Sequence, residues 1–175
     1  NGAQLSAATS GIGDAGNVIL SITETARFDG ADPFDGSPSG AFSSVETGGE
    51  GQGGNVELSA SNLEVTNGAV LGAATVGIGD AGDVLLSITE TARFDGADPF
   101  DGSPSGAFSN VNTGGEGQGG TVELSASNLE VTNGAQLLAS TFGIGDAGDV
   151  LLSITETARF DGADPFDGSP SGAFS

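Results

Sequence analysis

Asp29, Asp32 and Asp35 fall at i, i+3 and i+6 in the segment DGADPFDGS, and the trio recurs as Asp95, Asp98, Asp101 and as Asp161, Asp164, Asp167. Three carboxylates in a glycine-rich loop can converge on one hard cation, and oxygen ligands from a flexible loop suit Ca²⁺. The spacing is not that of an EF-hand, which places ligands at i, i+2 and i+4 and closes with a glutamate. Asp-Gly and Asp-Pro also form turns in their own right, so the same residues read as turn chemistry with no ion. Ca²⁺ is the one cofactor the sequence offers, and the alternative is none.

What must position these loops is a repeat. The stretch GDAGDVLLSITETARFDGADPFDGSPSGAFS is written three times, with small changes in the first copy, starting at Gly13, Gly79 and Gly145. The period is 66 residues, and residues 1–66 differ from 67–132 at only eight positions. The units are 1–66, 67–132 and a partial 133–175, read as one solenoid domain. Starting and stopping partway through a unit, the chain reads as a slice of a longer array.

Inside each unit lies a weaker echo. AGNVILSIT from Ala15 is matched by GGNVELSAS from Gly53, and the next unit opens again with AGDVLLSIT from Ala81, so a unit divides into a longer and a shorter part. In the shorter part, NVELSAS, LEVT and GAVLGAAT alternate with a period of two, the mark of strands. Val56, Leu58 and Ala60 face one way, as do Leu63 with Val65 and Ala69 with Leu71 and Ala73. Three short strands per turn, with Asn-Gly and Gly-Gly corners, predict an all-β parallel β-helix (β-solenoid) with two coils per 66-residue repeat. One coil cannot bury enough apolar surface to fold alone; stacked on its neighbours about 4.8 Å away, it pairs its backbone and shares a core.

The longer coil carries the same three strands and an insertion, at 30–39, 96–105 and 162–171. Its Pro and Gly residues make it a turn-rich loop, and Phe34 at its tip suggests a loop folded down on the outer wall. Starting the next strand at Gly40 places Phe42 on the outer face, where Phe34 could cover it; a shift by one residue would turn Phe42 into the core.

Stacking turns every repeated residue into a ladder. Arg27, Glu64, Arg93, Glu130 and Arg159 alternate in sign along one face, a structural ladder that also fixes register. Ile19, Leu85 and Leu151 point outward, and with Phe34, Phe100 and Phe166 form stripes suited to lateral contacts.

Composition narrows the partners. There are 32 Gly among 175 residues, no Cys and no His, and a formal net charge of −21. Thiol and histidine nucleophiles and Cys/His zinc sites are excluded. The charge repels phosphate backbones and anionic headgroups, so neither nucleic-acid binding nor membrane insertion is expected. Nearly every acidic position is copied in each repeat, the exceptions being Glu46, which is Asn112 in the next unit, and Asp83, which is Asn17 in the first; an active site is a single irregularity, so no enzyme is expected.

SGAFSSVETGGEGQGGNVELSASNLEVTNGA and NGAQLLASTFGIGDAGDVLLSIT resemble the repeats of filamentous-haemagglutinin-like large exoproteins, particularly the cyanobacterial kind exported by two-partner secretion. The resemblance covers the whole chain. It implies a right-handed β-helix, passage through an outer-membrane transporter, and a secreted, cell-surface role as adhesin or fibre. The expected function is an extracellular structural protein building a filament, sheath or adhesin stalk by lateral or head-to-tail self-association. The alternative is an adhesive module whose stacked ADPFDGSPS loops bind Ca²⁺ or a surface glycan.

Overall fold

A computed structural model describes residues 2–175. It contains strands and turns and, among the described residues, no helix. The strands are β1 (Gln4–Thr9), β2 (Val18–Ser21), β3 (Thr25–Asp29), β4 (Gly40–Val45), β5 (Val56–Ala60), β6 (Asn62–Thr66) and β7 (Val70–Thr75). They continue as β8 (Val84–Ile88), β9 (Thr91–Asp95), β10 (Gly106–Val111), β11 (Val122–Thr132), β12 (Gln136–Leu138), β13 (Val150–Asp161) and β14 (Gly172–Phe174).

Every pair among these strands is parallel, and each strand pairs with partners beyond its sequence neighbours. One sheet runs β1-β4-β7-β10-β12-β14; in the other, β2-β5-β8 join one half of the long β11 and β3-β6-β9 the other half, with β13 along its far side. The register matches the repeat. Val18 pairs with Val56 and Val56 with Val84, a longer step followed by a shorter one. Val84 then pairs with Val122 and Val122 with Val150, and the alternation of steps repeats. Like residues therefore stack on like, which is what makes the inward side chains interlock.

The strand alternation sets the core. Val56, Leu58, Leu63, Val65, Ala69, Leu71 and Ala73 are buried, with Phe94 the largest fully buried side chain. Intervening residues such as Glu57 and Glu64 remain partly exposed. At the two ends of the pairing order, Val18, Leu20, Val150 and Leu152 are only partly covered, because a neighbour stands on one side alone.

Two details depart from the sequence reading. NVELSAS and LEVT are separate strands in β5 and β6, but in β11 the same segment runs unbroken, with a register shift against β13 between Ala126 and Asn128. The junction in β11 is thus an irregularity within one strand rather than a break between two. In addition, Phe34 does not fold onto the wall: it stands 96% exposed. Its loop closes on itself instead, with Asp32 N–H donating to Ser37 O and Ser39 N–H to Gly30 O, and with an antiparallel bridge between Ala31 and Pro38. The loops 96–105 and 162–171 close the same way.

Phe42 faces outward between buried Ala41 and Ser43 and is half-buried without help from Phe34. Its ring lies over two glycines, since a Cβ on Gly40 or Gly72 would come within 2.9 or 3.2 Å of it. Glycine is also required where corners stack: a Cβ on Gly82 would strike the Gly54 carbonyl, and one on Gly120 the Gly82 carbonyl.

Candidate functional site

The loop carboxylates are spent on turns and braces. Asp29, at the end of β3, accepts hydrogen bonds on Oδ1 from Thr66 Oγ1 and Asn67 Nδ2, both 2.8 Å, and faces Arg27 on Oδ2. Asp95 repeats this with Thr132 and Asn133 and with Arg93. The brace holds a strained corner, because Asn67 and Asn133 have φ of 56° and 55°, a left-handed conformation that asparagine tolerates better than most residues. Asp161 pairs with Arg159 at 2.5 Å.

Asp32, Asp98 and Asp164 each accept from the N–H two residues on, at Phe34, Phe100 and Phe166, at 2.7–2.8 Å. Asp35, Asp101 and Asp167 do likewise with Ser37, Ser103 and Ser169. These are side-chain-closed turns. Among the described residues no group of three or more carboxylates gathers as a metal ion would need. The trios Asp29/Asp32/Asp35 and their copies are therefore not brought together on one point.

Hydrogen bonding also shifts their acidity. The Thr66 hydroxyl, then the Asn67 amide, hold the Asp29 carboxyl below its ordinary range, with Arg27 adding to the effect and burial opposing it. The Ser37 N–H does the same for Asp35, and the Ser169 hydroxyl for Asp167.

The structure brings the basic and acidic rungs together in the expected order. Arg27 pairs in register with Glu64, Glu64 with Arg93, Arg93 with Glu130 and Glu130 with Arg159. Ion contacts across rungs form at 3.8 Å for Arg27 with Glu64 and for Arg93 with Glu130. The sequence reading missed the tighter partner, which is the aspartate two residues along the same strand: Arg93 to Asp95 is 2.6 Å. Alternation puts residues i and i+2 on one face, a signal that was present in ARFD.

Ile19 and Leu151 are exposed and Leu85 half-buried, in a row that reads Ile19, Glu57, Leu85, Glu123, Leu151. A second row went unread. Bridges link Ile12, Glu50, Ile78, Glu116 and Ile144, and the three isoleucines are exposed. Phe100 and Phe166 line two clefts between successive insertion loops, of about 560 and 440 Å³. Phe34 occupies the same position on the first loop.

No protein-family model, curated protein or solved structure matches the chain.

Proposed function

We propose that the chain is a segment of a right-handed parallel β-helix, three strands to the coil and two coils to the 66-residue repeat, serving as an extracellular structural rod. The observation that carries this reading is the register: parallel pairs at alternating longer and shorter separations let the pattern continue for as many units as are supplied. Repetition without a singular site suits a filament, sheath or adhesin stalk. The resemblance to haemagglutinin-like exoproteins supports secretion through an outer-membrane transporter and display at the cell surface. The rows Ile19–Leu85–Leu151 and Ile12–Ile78–Ile144 are the faces assigned to lateral contact between rods, and no catalysis is assigned to them.

Electron microscopy with fibre diffraction tests the reading. A rod with a meridional repeat of about 9.6 Å, two strand spacings, is the expected result. Compact particles without that repeat would rule it out.

A further inference from the structure

We propose that the clefts between successive insertion loops bind a neutral, extended glycan, with one sugar ring stacked on each loop phenylalanine. The first cleft lies among Asp29, Pro33, Asn67, Asp98 and Phe100, and the second among Asp95, Pro99, Asn133, Asp164 and Phe166. Each residue of the first is replaced in the second by its equivalent one repeat further on. The clefts are contiguous, since Asn67, Asp98 and Pro99 border both. At about 560 and 440 Å³ each has the volume of a small-ligand site.

The lining selects the ligand. Phe34, Phe100 and Phe166 are 96%, 77% and 65% exposed, although their loops are pinned by their own hydrogen bonds. A phenyl ring open to solvent on a hydrogen-bonded loop presents an apolar face whose negative π cloud attracts C–H groups. No Lys or Arg borders either cleft, and Asn67 and Asn133 each spend one of their two amide N–H groups on Asp29 and Asp95. Carboxylate acceptors border both clefts, with Asp98 common to the two. Asp164 Oδ2 is not among them: it is buried without a hydrogen-bond partner against the preceding loop, 3.3 Å from where a Cβ on Gly102 would stand. A ligand must therefore bring donors and a C–H face and carry no negative charge, which describes the hydroxyls and ring of a neutral sugar. An ammonium guest would need aromatic rings on several sides, and each cleft offers one.

Spacing selects an extended chain. Like clefts recur at two strand spacings, about 9.6 Å. A peptide strand presents like side chains about every 6.8 Å and falls out of step. A chain of equatorially linked six-membered rings turns the same face outward on alternate rings, a repeat close to two strand spacings. Such a chain can lie along the loop stack and meet every phenylalanine in turn.

The inference rests on the rod reading, because only stacked repeats align the clefts; a confirmed rod that ignores the sugar would sink the clefts alone. The test titrates the wild-type chain with cellohexaose by calorimetry and by saturation-transfer NMR. Expected are saturable binding, transfer strongest to ring C–H protons, and at least tenfold weaker binding in the F100S/F166S double variant with its circular dichroism and melting temperature unchanged. The proposal is overturned by absence of saturable binding, by equal binding in the double variant, or by polygalacturonate binding as tightly as cellohexaose. A thermal shift with Ca²⁺ alone, abolished by Asp164→Asn, would also overturn it by giving the orphaned carboxylate to a cation.

Discussion

Arg93 lies 2.6 Å from Asp95, its neighbour on the same strand face, and 3.8 Å from Glu130 on the adjoining strand. The nearer carboxylate also takes the Thr132 hydroxyl and the Asn133 amide. Asp95 therefore ties its own strand to the next corner, whereas Glu130 contributes one partly exposed, screened charge.

The two should separate in a stability measurement. Asp95→Ala removes three hydrogen bonds and leaves a left-handed asparagine unbraced, at an expected cost of about 2 kcal/mol. Glu130→Gln should cost less than about 1 kcal/mol, the usual worth of a surface ion pair. Guanidinium unfolding midpoints of the two variants decide the matter, and equal losses would mean that the cross-strand ladder holds the register.

Acid should act on Asp29 in one direction. Its carboxyl is held below the ordinary range, mainly by the Thr66 hydroxyl and the Asn67 amide. A group depressed on folding contributes stability above its unfolded pKa of about 3.9, and that contribution is lost as pH falls through the lower folded value. Protonating the other carboxylates meanwhile relieves self-repulsion, so wild type alone gives a mixed answer. The difference between wild type and Asp29→Asn isolates the group: it should be constant above about pH 5 and shrink below about pH 4. A flat difference down to about pH 2 would contradict the assignment.

Period-two alternation in NVELSAS and LEVT located the buried faces because apolar and polar residues trade places there without exception. It could not reveal that Ser43 and Ser109 also point inward, since a serine in an inward slot looks like a break in the pattern. The structure explains them: Ser109 Oγ donates to Gly82 O at 2.7 Å and accepts from Gly120 N–H at 3.0 Å. The buried hydroxyl thereby satisfies backbone groups at a glycine corner. The register of the Arg and Glu rungs was legible from their flanks, since Arg27 stands between Ala26 and Phe28 as Glu64 does between Leu63 and Val65. The posture of Phe34 was not, because hydrogen bonds local to the loop outweighed the cover its ring would gain on the wall.

Glycine corners give a sharp contrast. A methyl on Gly82 would meet the Gly54 carbonyl, backbone against backbone, with no flexible side chain to yield. Gly11 has open space around the same position and no positive φ. Gly82→Ala should therefore cost about 3 kcal/mol, the upper part of the overpacking range, while Gly11→Ala stays within about 0.5 kcal/mol of wild type. Thermal unfolding followed by circular dichroism reads both. A mild Gly82→Ala would mean that the stacked corners can slide apart.

One substitution should improve the fold. Thr75 is fully buried, its Oγ1 has no hydrogen-bond partner, and its register neighbours on either side are Val45 and Val111. A buried hydroxyl without a partner has lost its hydration and gained nothing in exchange. Valine has nearly the same shape and the same preference for strands, so Thr75→Val completes an apolar column without a change in packing volume. The expected gain is about 1 kcal/mol, seen as a higher denaturant midpoint with an unchanged slope. The matched control is Thr66→Val, where the hydroxyl donates to Asp29 at 2.8 Å and its removal should destabilise. If both variants lose stability, Thr75 has a partner in solution, and the column Val45–Thr75–Val111 is hydrated rather than dry.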